Sequence, residues 1–366
     1  MVKNRWAIEF AQNLDLDLLL LHHPTTPRHS AKQLFVQRTL TALGPEGLED
    51  RLQSALMTPP ASPPGAHALS EAVDRCVRER GAPALLVEVD IDVGGGGALG
   101  ADPAAVVKRA TELAEAGADA IVLVAPAVAR ARRKKEGAKT PSSSPERERD
   151  DEEADAAATL ACLLSVSRSL AANPKFRLGK GDVSQDIAFG SSSSSSVPPV
   201  LLRDWIVHPL QLADVKAAGG SGALGAAAAV LGKGGPVLTS FGAAMGLDVP
   251  LEVVNASESR QATNEGNGVP IVAVNVSLAL SISIASIAGA AGAVAEGILG
   301  ELPMGCFAVV GADSLRAVAE AARAGAAAVV VKEEAWRDAV RPQGSFQENG
   351  VAAAMEELRT AASMSD

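Results

Sequence analysis

Cysteine is scarce in these 366 residues, and the three present, Cys76, Cys162 and Cys306, stand far apart with no CxxC spacing. That pattern supports neither a disulfide framework nor a cysteine zinc site, and buried, idle thiols are expected instead. Positive charge is also in deficit, since 33 Lys and Arg face 43 Asp and Glu, a formal net charge of −10. Nucleic-acid binding needs a concentrated basic face, so that class is set aside. No apolar run approaches the ~20 residues of a membrane span. The run Leu18–Leu21 is too short for a secretory core, so export is not expected.

What the chain has is apolar material in short pieces. At 47% hydrophobic and 21% charged it can bury a sizeable core. Eight strand-like runs recur at Ala84–Asp90, Ala120–Val124, Val200–Trp205, Leu224–Val230, Leu251–Val254, Ile271–Val276, Phe307–Val310 and Ala326–Lys332. Most are separated by Ala-rich stretches of helical character, at Pro209–Ala218, Pro236–Met245, Ser257–Asn264, Leu278–Leu299 and Asp313–Ala324. Apolar strands without polar alternation, joined by helices, predict a parallel sheet buried on both faces. Eight such units predict a closed (β/α)8 barrel, typically about 250 residues long.

Around that barrel lie extensions. Residues 1–66 contain helices expected at Ala31–Leu43 and Gly47–Met57 and end in the breaker PPASPPG, Pro59–Gly65. A helix over Ala68–Arg80 leads into the first strand, and Asp102 with Pro103 starts the helix that follows it. The barrel is expected over 67–345, interrupted at about 125–196 by an insert, and a C-terminal helix and tail over 346–366. The insert runs from bases (Arg130 to Lys135) through acids (Asp150 to Glu153) to six serines, Ser191–Ser196. Only its middle, about Ala154–Ala172, reads as helix. The flanks bury too little to offset chain entropy and are expected to be disordered.

In a (β/α)8 barrel the C-terminal strand ends carry function. Here they hold Glu88 and Asp90, Arg203 and Asp204, Glu252, Asn275, Gly311, and Lys332 with Glu333. An ionised Glu88 inside an apolar strand needs a partner; it reads as a site residue, as half of an ion pair with Arg203, or as both. Gly95, Gly97 and Gly100 spell GxGxxG, but Asp90 and Asp92 flank that loop and strand two ends without an acid for a ribose. His22 and His23 are adjacent and point apart, so a metal there is not expected, and His208 reads as a helix cap.

This succession resembles the indole-3-glycerol phosphate synthase family over about residues 68–340 less the insert. The segments that carry the likeness are HALSEAVDRCVRERGAPALLVEVD, VLLRDWIVHPLQLADVKAAGGSGAL, LEVVNASES, VAVNVSLAL and ADSLRAVAEAARAGAAAVVV. The resemblance implies ring closure of a carboxyphenylamino-deoxyribulose phosphate with loss of carbon dioxide and water, and no cofactor or metal. It makes Glu88, Arg203, Glu252 and Asn275 the catalytic positions, with Gly95, Gly311 and Lys332 toward the phosphate.

Departures from the family pattern cluster at the cations and the phosphate cradle. Asp90 stands where the family has a strand-one lysine that pairs with the substrate carboxylate. Arg203 stands for the strand-three lysine acid, and a guanidinium does not release a proton at working pH. Losing a positioned general acid removes ~10²–10⁴ of rate. The cradle reads Val93-Gly94-Gly95, Val309-Val310-Gly311 and Lys332-Glu333-Glu334, without the family's hydroxyls. Two functions follow as expectations: a degenerate barrel with a structural or assembly role, docking a protein through the insert or N-terminal extension, or a divergent active synthase acting on a phosphorylated, anthranilate-derived molecule. The resemblance places such a barrel in a plastid, while the acids Glu9, Asp15 and Asp17 fit a cytoplasmic protein instead.

Overall fold

Nine parallel strands hydrogen-bond in one unbroken series, β4-β3-β2-β1-β9-β8-β7-β6-β5. In this computed structural model they are β1 (Ala84–Asp90), β2 (Ala120–Val124), β3 (Val200–Arg203), β4 (Gly222–Leu224), β5 (Ala226–Ala227), β6 (Leu251–Val253), β7 (Ile271–Val274), β8 (Phe307–Ala312) and β9 (Ala328–Val331). The structure describes residues 27–60, 64–91, 102–135, 145–176, 197–232, 234–264, 271–274, 297–300, 302, 306–340 and 350–363. The two ends of the series, β4 and β5, are consecutive in the chain and separated only by Gly225. They are two halves of one stave, so the series closes into an eight-stave ring.

Gly225 is what lets that stave pair on both sides. Its φ is +108°, and a Cβ there would sit 1.7 Å from the Asp204 carbonyl oxygen. The extra residue also reverses side-chain parity, as a bulge does. Ala223 and Ala226, three apart, both face the outer core, whereas strict alternation would put them on opposite sides. Leu224 faces the barrel interior. The continuous strand expected at Leu224–Val230 is therefore corrected: it ends at Ala227, and Ala228–Leu231 is a helical turn ahead of the helix Gly234–Ala244. Alanine has little preference for strand, and the bulge exhausts the pairing.

Alternation along each stave builds two cores. Leu86, Ala120, Val122, Leu201, Ala273, Val309, Ala328 and Val330 fill the barrel interior. Leu85, Val87, Val89, Ile121 and Leu123 point outward into a larger layer beneath the helices. The helix Ala68–Arg75, continued by a π turn over Cys76–Arg80, stoppers the N-terminal end by placing Leu69, Val73 and Cys76 in the interior core. Burying one such leucine contributes roughly 2 kcal/mol. Its first turn is capped from a distance. The Asp248 carboxylate accepts from the Leu69 and Ser70 amides at 2.9 and 3.1 Å and from the Ser70 hydroxyl at 2.5 Å.

The N-terminal pair is present as expected, two helical stretches within Pro27–Met57 that meet at a non-helical Gly44 (φ 66°); they pack on the helices Pro209–Ala217 and Pro145–Ala172. Other helices differ from expectation. The first charged flank of the insert is helix, Pro126–Lys135, and the second helix begins at Pro145. Their charges are neutralised far away in sequence, Arg130 by Asp155 and Arg132 by Glu88, while Val128, Ala129 and Ala131 are buried. Within Pro145–Ala172 the stretch Glu153–Ala172 is long and apolar enough to cross a membrane, which the sequence reading did not anticipate; Cys162, Leu163, Val166 and Leu170 on it are buried in the outer core. A helix at Glu333–Val340, not foreseen, follows β9 directly. Leu315–Arg323 and Gly350–Ser363 complete the layer. His22, His23, the Gly94–Gly97 loop, segments 136–144 and 177–196, and most of Leu278–Leu299 lie outside the described residues.

Candidate active site at the barrel mouth

Glu88 occupies an interior position of β1, level with Val122 on β2. It is fully buried, and its charge is met by two guanidinium groups. Arg132 is bidentate, with Nη1 to Oε2 at 2.5 Å and Nη2 to Oε1 at 2.8 Å. Arg203, at the end of β3, donates from Nη1 to Oε1 at 3.1 Å. The other arm of Arg203 lies 3.7 Å from Glu252 Oε1 on β6. Burial pushes the Glu88 carboxyl up, yet the charges of Arg132 and Arg203 outweigh it and hold the group below the usual carboxylate range. Burial disfavours the Arg132 cation, and Glu88 more than compensates, so its affinity for the proton is raised.

Next to this cluster sits a second one built around the helix Glu333–Val340. Glu333 accepts from the Asp90 amide at 2.6 Å and from Arg109 Nη1 at 3.1 Å. Arg109 also stacks over the Trp336 ring, 5.2 Å from its centroid. The Trp336 indole N–H donates to the Glu88 carbonyl at 3.0 Å. These bonds fix the last β-to-α turn against β1. The Asp90 side chain fares worse, because its Oδ1 is buried without a hydrogen-bond partner among the described residues. Burial, then the negative charge of Glu333, pushes its carboxyl up to about 7.

Of the positions singled out in the sequence, Glu88, Arg203 and Glu252 share the mouth. Lys332, half-buried, lies 3.9 Å from Asp313 and adds positive potential at Glu88. Gly311 is an exposed residue of β8, paired with Val330, with open space where a Cβ would go. Asn275 and Gly95 lie outside the described residues. Asp204 does not face this cluster: it is buried against Lys32 of the N-terminal helix at 2.6 Å. His208 caps the helix Pro209–Ala217, its Nδ1 accepting from the Leu210 amide in a capping box with Gln211.

Arg132, Arg109 and Trp336 are mouth residues that the sequence reading missed. For Arg132 a signal existed, because Val128, Ala129 and Arg132 fall at i, i+1 and i+4 and so share one helical face. Chemically, the mouth is a set of acids and bases satisfied by one another, apart from the Asp90 side chain. A substrate carboxylate reaching Arg132 or Arg203 competes with Glu88 for the same donors. Burial and the charge of Glu333 bring the Asp90 carboxyl, at about 7, into the range of a group that can give up a proton near neutral pH.

A stoppered eight-stave ring with a polar mouth at its C-terminal strand ends defines the (β/α)8 barrel class. No protein-family model matches the chain, and no curated protein matches it. Among solved structures it is similar to the tryptophan synthase alpha chain from Legionella pneumophila subsp. pneumophila, at 14% identity and TM-score 0.47, covering 80% of this chain and 96% of that one. It is also similar to tryptophan synthase from M. tuberculosis in the open form, at 17% identity and TM-score 0.47, covering 80% and 98%. Thiamine phosphate pyrophosphorylase from Pyrococcus furiosus matches at 14% identity and TM-score 0.41, covering 76% and 95%.

Proposed function

We propose that the chain is a barrel of the indole-3-glycerol phosphate synthase type that has turned from catalysis to a structural or assembly role. One observation carries this reading: Glu88, at the family's strand-one glutamate position, is fully buried with both oxygens held by arginines. A carboxylate so held is a poor base, and its occupancy of both guanidiniums opposes binding of a carboxylate substrate. Asp90 in place of a lysine reinforces that opposition whenever it is ionised. The partner surface belongs to the insert or the N-terminal extension, where Leu34 and Met57 are 51% and 70% exposed. The test is to incubate purified chain with the carboxyphenylamino-deoxyribulose phosphate and assay indoleglycerol phosphate. Absence of product supports the reading, and turnover within about a hundredfold of ordinary enzymes, which run at ~1–10³ s⁻¹, overturns it.

A second reading, a divergent active synthase, is favoured by the presence of both Arg132 and Asp90 at the mouth, each within the other's electrostatic influence. Arg132 brings a cation to the mouth from the helix after β2, and a carboxyl titrating near neutrality can deliver the proton that Arg203 cannot. In that case Asp90→Asn abolishes turnover, whereas in the first reading Asp90→Lys together with Arg203→Lys is needed for any activity to appear.

A further inference from the structure

At the opposite end of the barrel from the mouth is a cleft of about 730 Å³, between the N-terminal helix, the helix Pro145–Ala172 and the start of β3. Its volume falls within the range of roughly 300–1,000 Å³ typical of small-molecule sites. Much of the wall is apolar, with Leu164, Leu170, Val197 and Ala213 contributing. Into this wall projects Lys216, from the last turn of the helix Pro209–Ala217 and only 9% exposed. No side-chain hydrogen bond or ion pair joins it to another described residue, and burial pushes its ammonium below the ordinary lysine range. Ser167, also on the cleft wall, has a buried hydroxyl without a hydrogen-bond partner among the described residues.

The lysine stem is buried while its ammonium reaches the cleft without a counter-charge on it, and the buried Ser167 hydroxyl is left unpaired, which is costly. The other charges that line the cleft are at its exposed edge or already engaged: Arg51 pairs with Asp214 at 2.5 Å, and Asp50 and Arg168 are exposed and of opposite sign, which leaves Lys216 as the cation set against the apolar wall. One unpaired cation, one hydroxyl donor and an apolar wall suit a single negative charge on an apolar body. They do not suit inorganic phosphate, which needs several donors around its oxygens.

We propose that this cleft binds a small organic carboxylate, its acid group on Lys216 and Ser167 and its apolar body along Leu164, Leu170 and Val197. The site is separate from the mouth, so it stands or falls independently of whether the barrel is catalytic.

Calorimetric titration of the full chain with octanoate tests the proposal, with n-octanol and inorganic phosphate as matched probes. Octanoate is expected to bind with one-to-one stoichiometry, more tightly than either of the other two. Lys216→Met, which keeps length and removes charge, is expected to weaken octanoate at least about tenfold; Ser167→Ala weakens it less. Thermal unfolding of both variants, read alongside, separates loss of the site from loss of the fold. Equal binding of octanol, unchanged affinity in folded Lys216→Met, or no heat with octanoate would overturn the proposal. Binding that appears only after residues 178–195 are deleted would overturn it too, by giving the cleft to the chain's own segment.

Discussion

Arg132 grips both carboxylate oxygens of Glu88 across 44 positions of sequence. The helix that carries Arg132 follows β2, the ring neighbour of β1, so the guanidinium drops over the rim onto the adjacent stave. With side-chain exposures of 18% and 0%, the pair is largely removed from water. Such a pair adds little net stability over an apolar replacement, but losing one member strands the other. The Arg132–Glu88–Arg203–Glu252 chain therefore fixes the shape of the mouth more than it deepens the stability of the barrel.

Glu88→Gln leaves two arginines facing an amide and is expected to destabilise the fold by about 3–5 kcal/mol. Arg132→Gln costs less, because Arg203 still neutralises Glu88. The double variant should be milder than the sum of the singles, with a coupling of ~1–3 kcal/mol. Urea denaturation of the four proteins measures it, and single effects that add to within ~0.5 kcal/mol would refute the coupling.

Asp90 sets a pH dependence of opposite sign to Glu88. Its carboxyl is raised to about 7 in the folded chain, against 3.8 for an ordinary aspartate. Between those values the folded state holds the proton that the unfolded state has lost, so stability falls as pH rises from about 4 to 7 and then levels off. Burial sets this first and the charge of Glu333 second, with Glu88 and Glu334 adding to it and Arg132 opposing. Asp90→Asn should thus be close to neutral at pH 4 and stabilising by a few kcal/mol at pH 8. Urea midpoints at the two pH values decide it, and an equal effect at both would contradict the assignment.

Most of the ring was legible because buried parallel strands are unbroken apolar runs, and β1, β2 and β9 show this plainly. The Asp102 cap, whose side chain accepts from the Ala104 amide at 3.0 Å, was legible for the same local reason. What escaped depends on partners distant in sequence. The basic helix Pro126–Lys135 reads as solvated chain until Asp155 and Glu88 are placed beside it. The helix Glu333–Val340 is held by Trp336 on the Glu88 carbonyl, 248 positions away. The stave around Gly225 was misread because a bulge flips parity without changing composition. At the mouth, Glu88, Arg203 and Glu252 could be found from strand-end position alone, whereas Arg132 required the fold.

Asp248 links the stopper helix to the ring, since it caps Leu69 and Ser70 while its own backbone bridges to Gly222. Asp248→Ala removes three acceptor contacts at once and should cost about 2 kcal/mol, the upper range for a helix cap. Hydrogen exchange of the Leu69 and Ser70 amides provides the local readout. Protection equal to that of the parent chain would mean that packing of Leu69 and Val73, and not the cap, holds the helix.

Closure of the barrel rests on Gly225, and a paired substitution isolates its role. Gly225→Ala meets two separate penalties: a φ of +108°, which L side chains rarely adopt, and a Cβ 1.7 Å from the Asp204 carbonyl oxygen. The second cannot be relieved by a side-chain rotation, because the obstacle is backbone at the end of β3. Moving it disturbs the Trp205 and Ile206 turn and the Lys32–Asp204 pair with it, so a loss above ~3 kcal/mol is expected. Gly311→Ala is the control, since a Cβ there meets nothing within 4 Å and a strand interior gains from a side chain; its effect should stay within about 0.5 kcal/mol. If both variants shift the urea midpoint alike, the bulge is not what joins the two halves of the stave, and the ring must be held shut by the β5–β6 pairing alone.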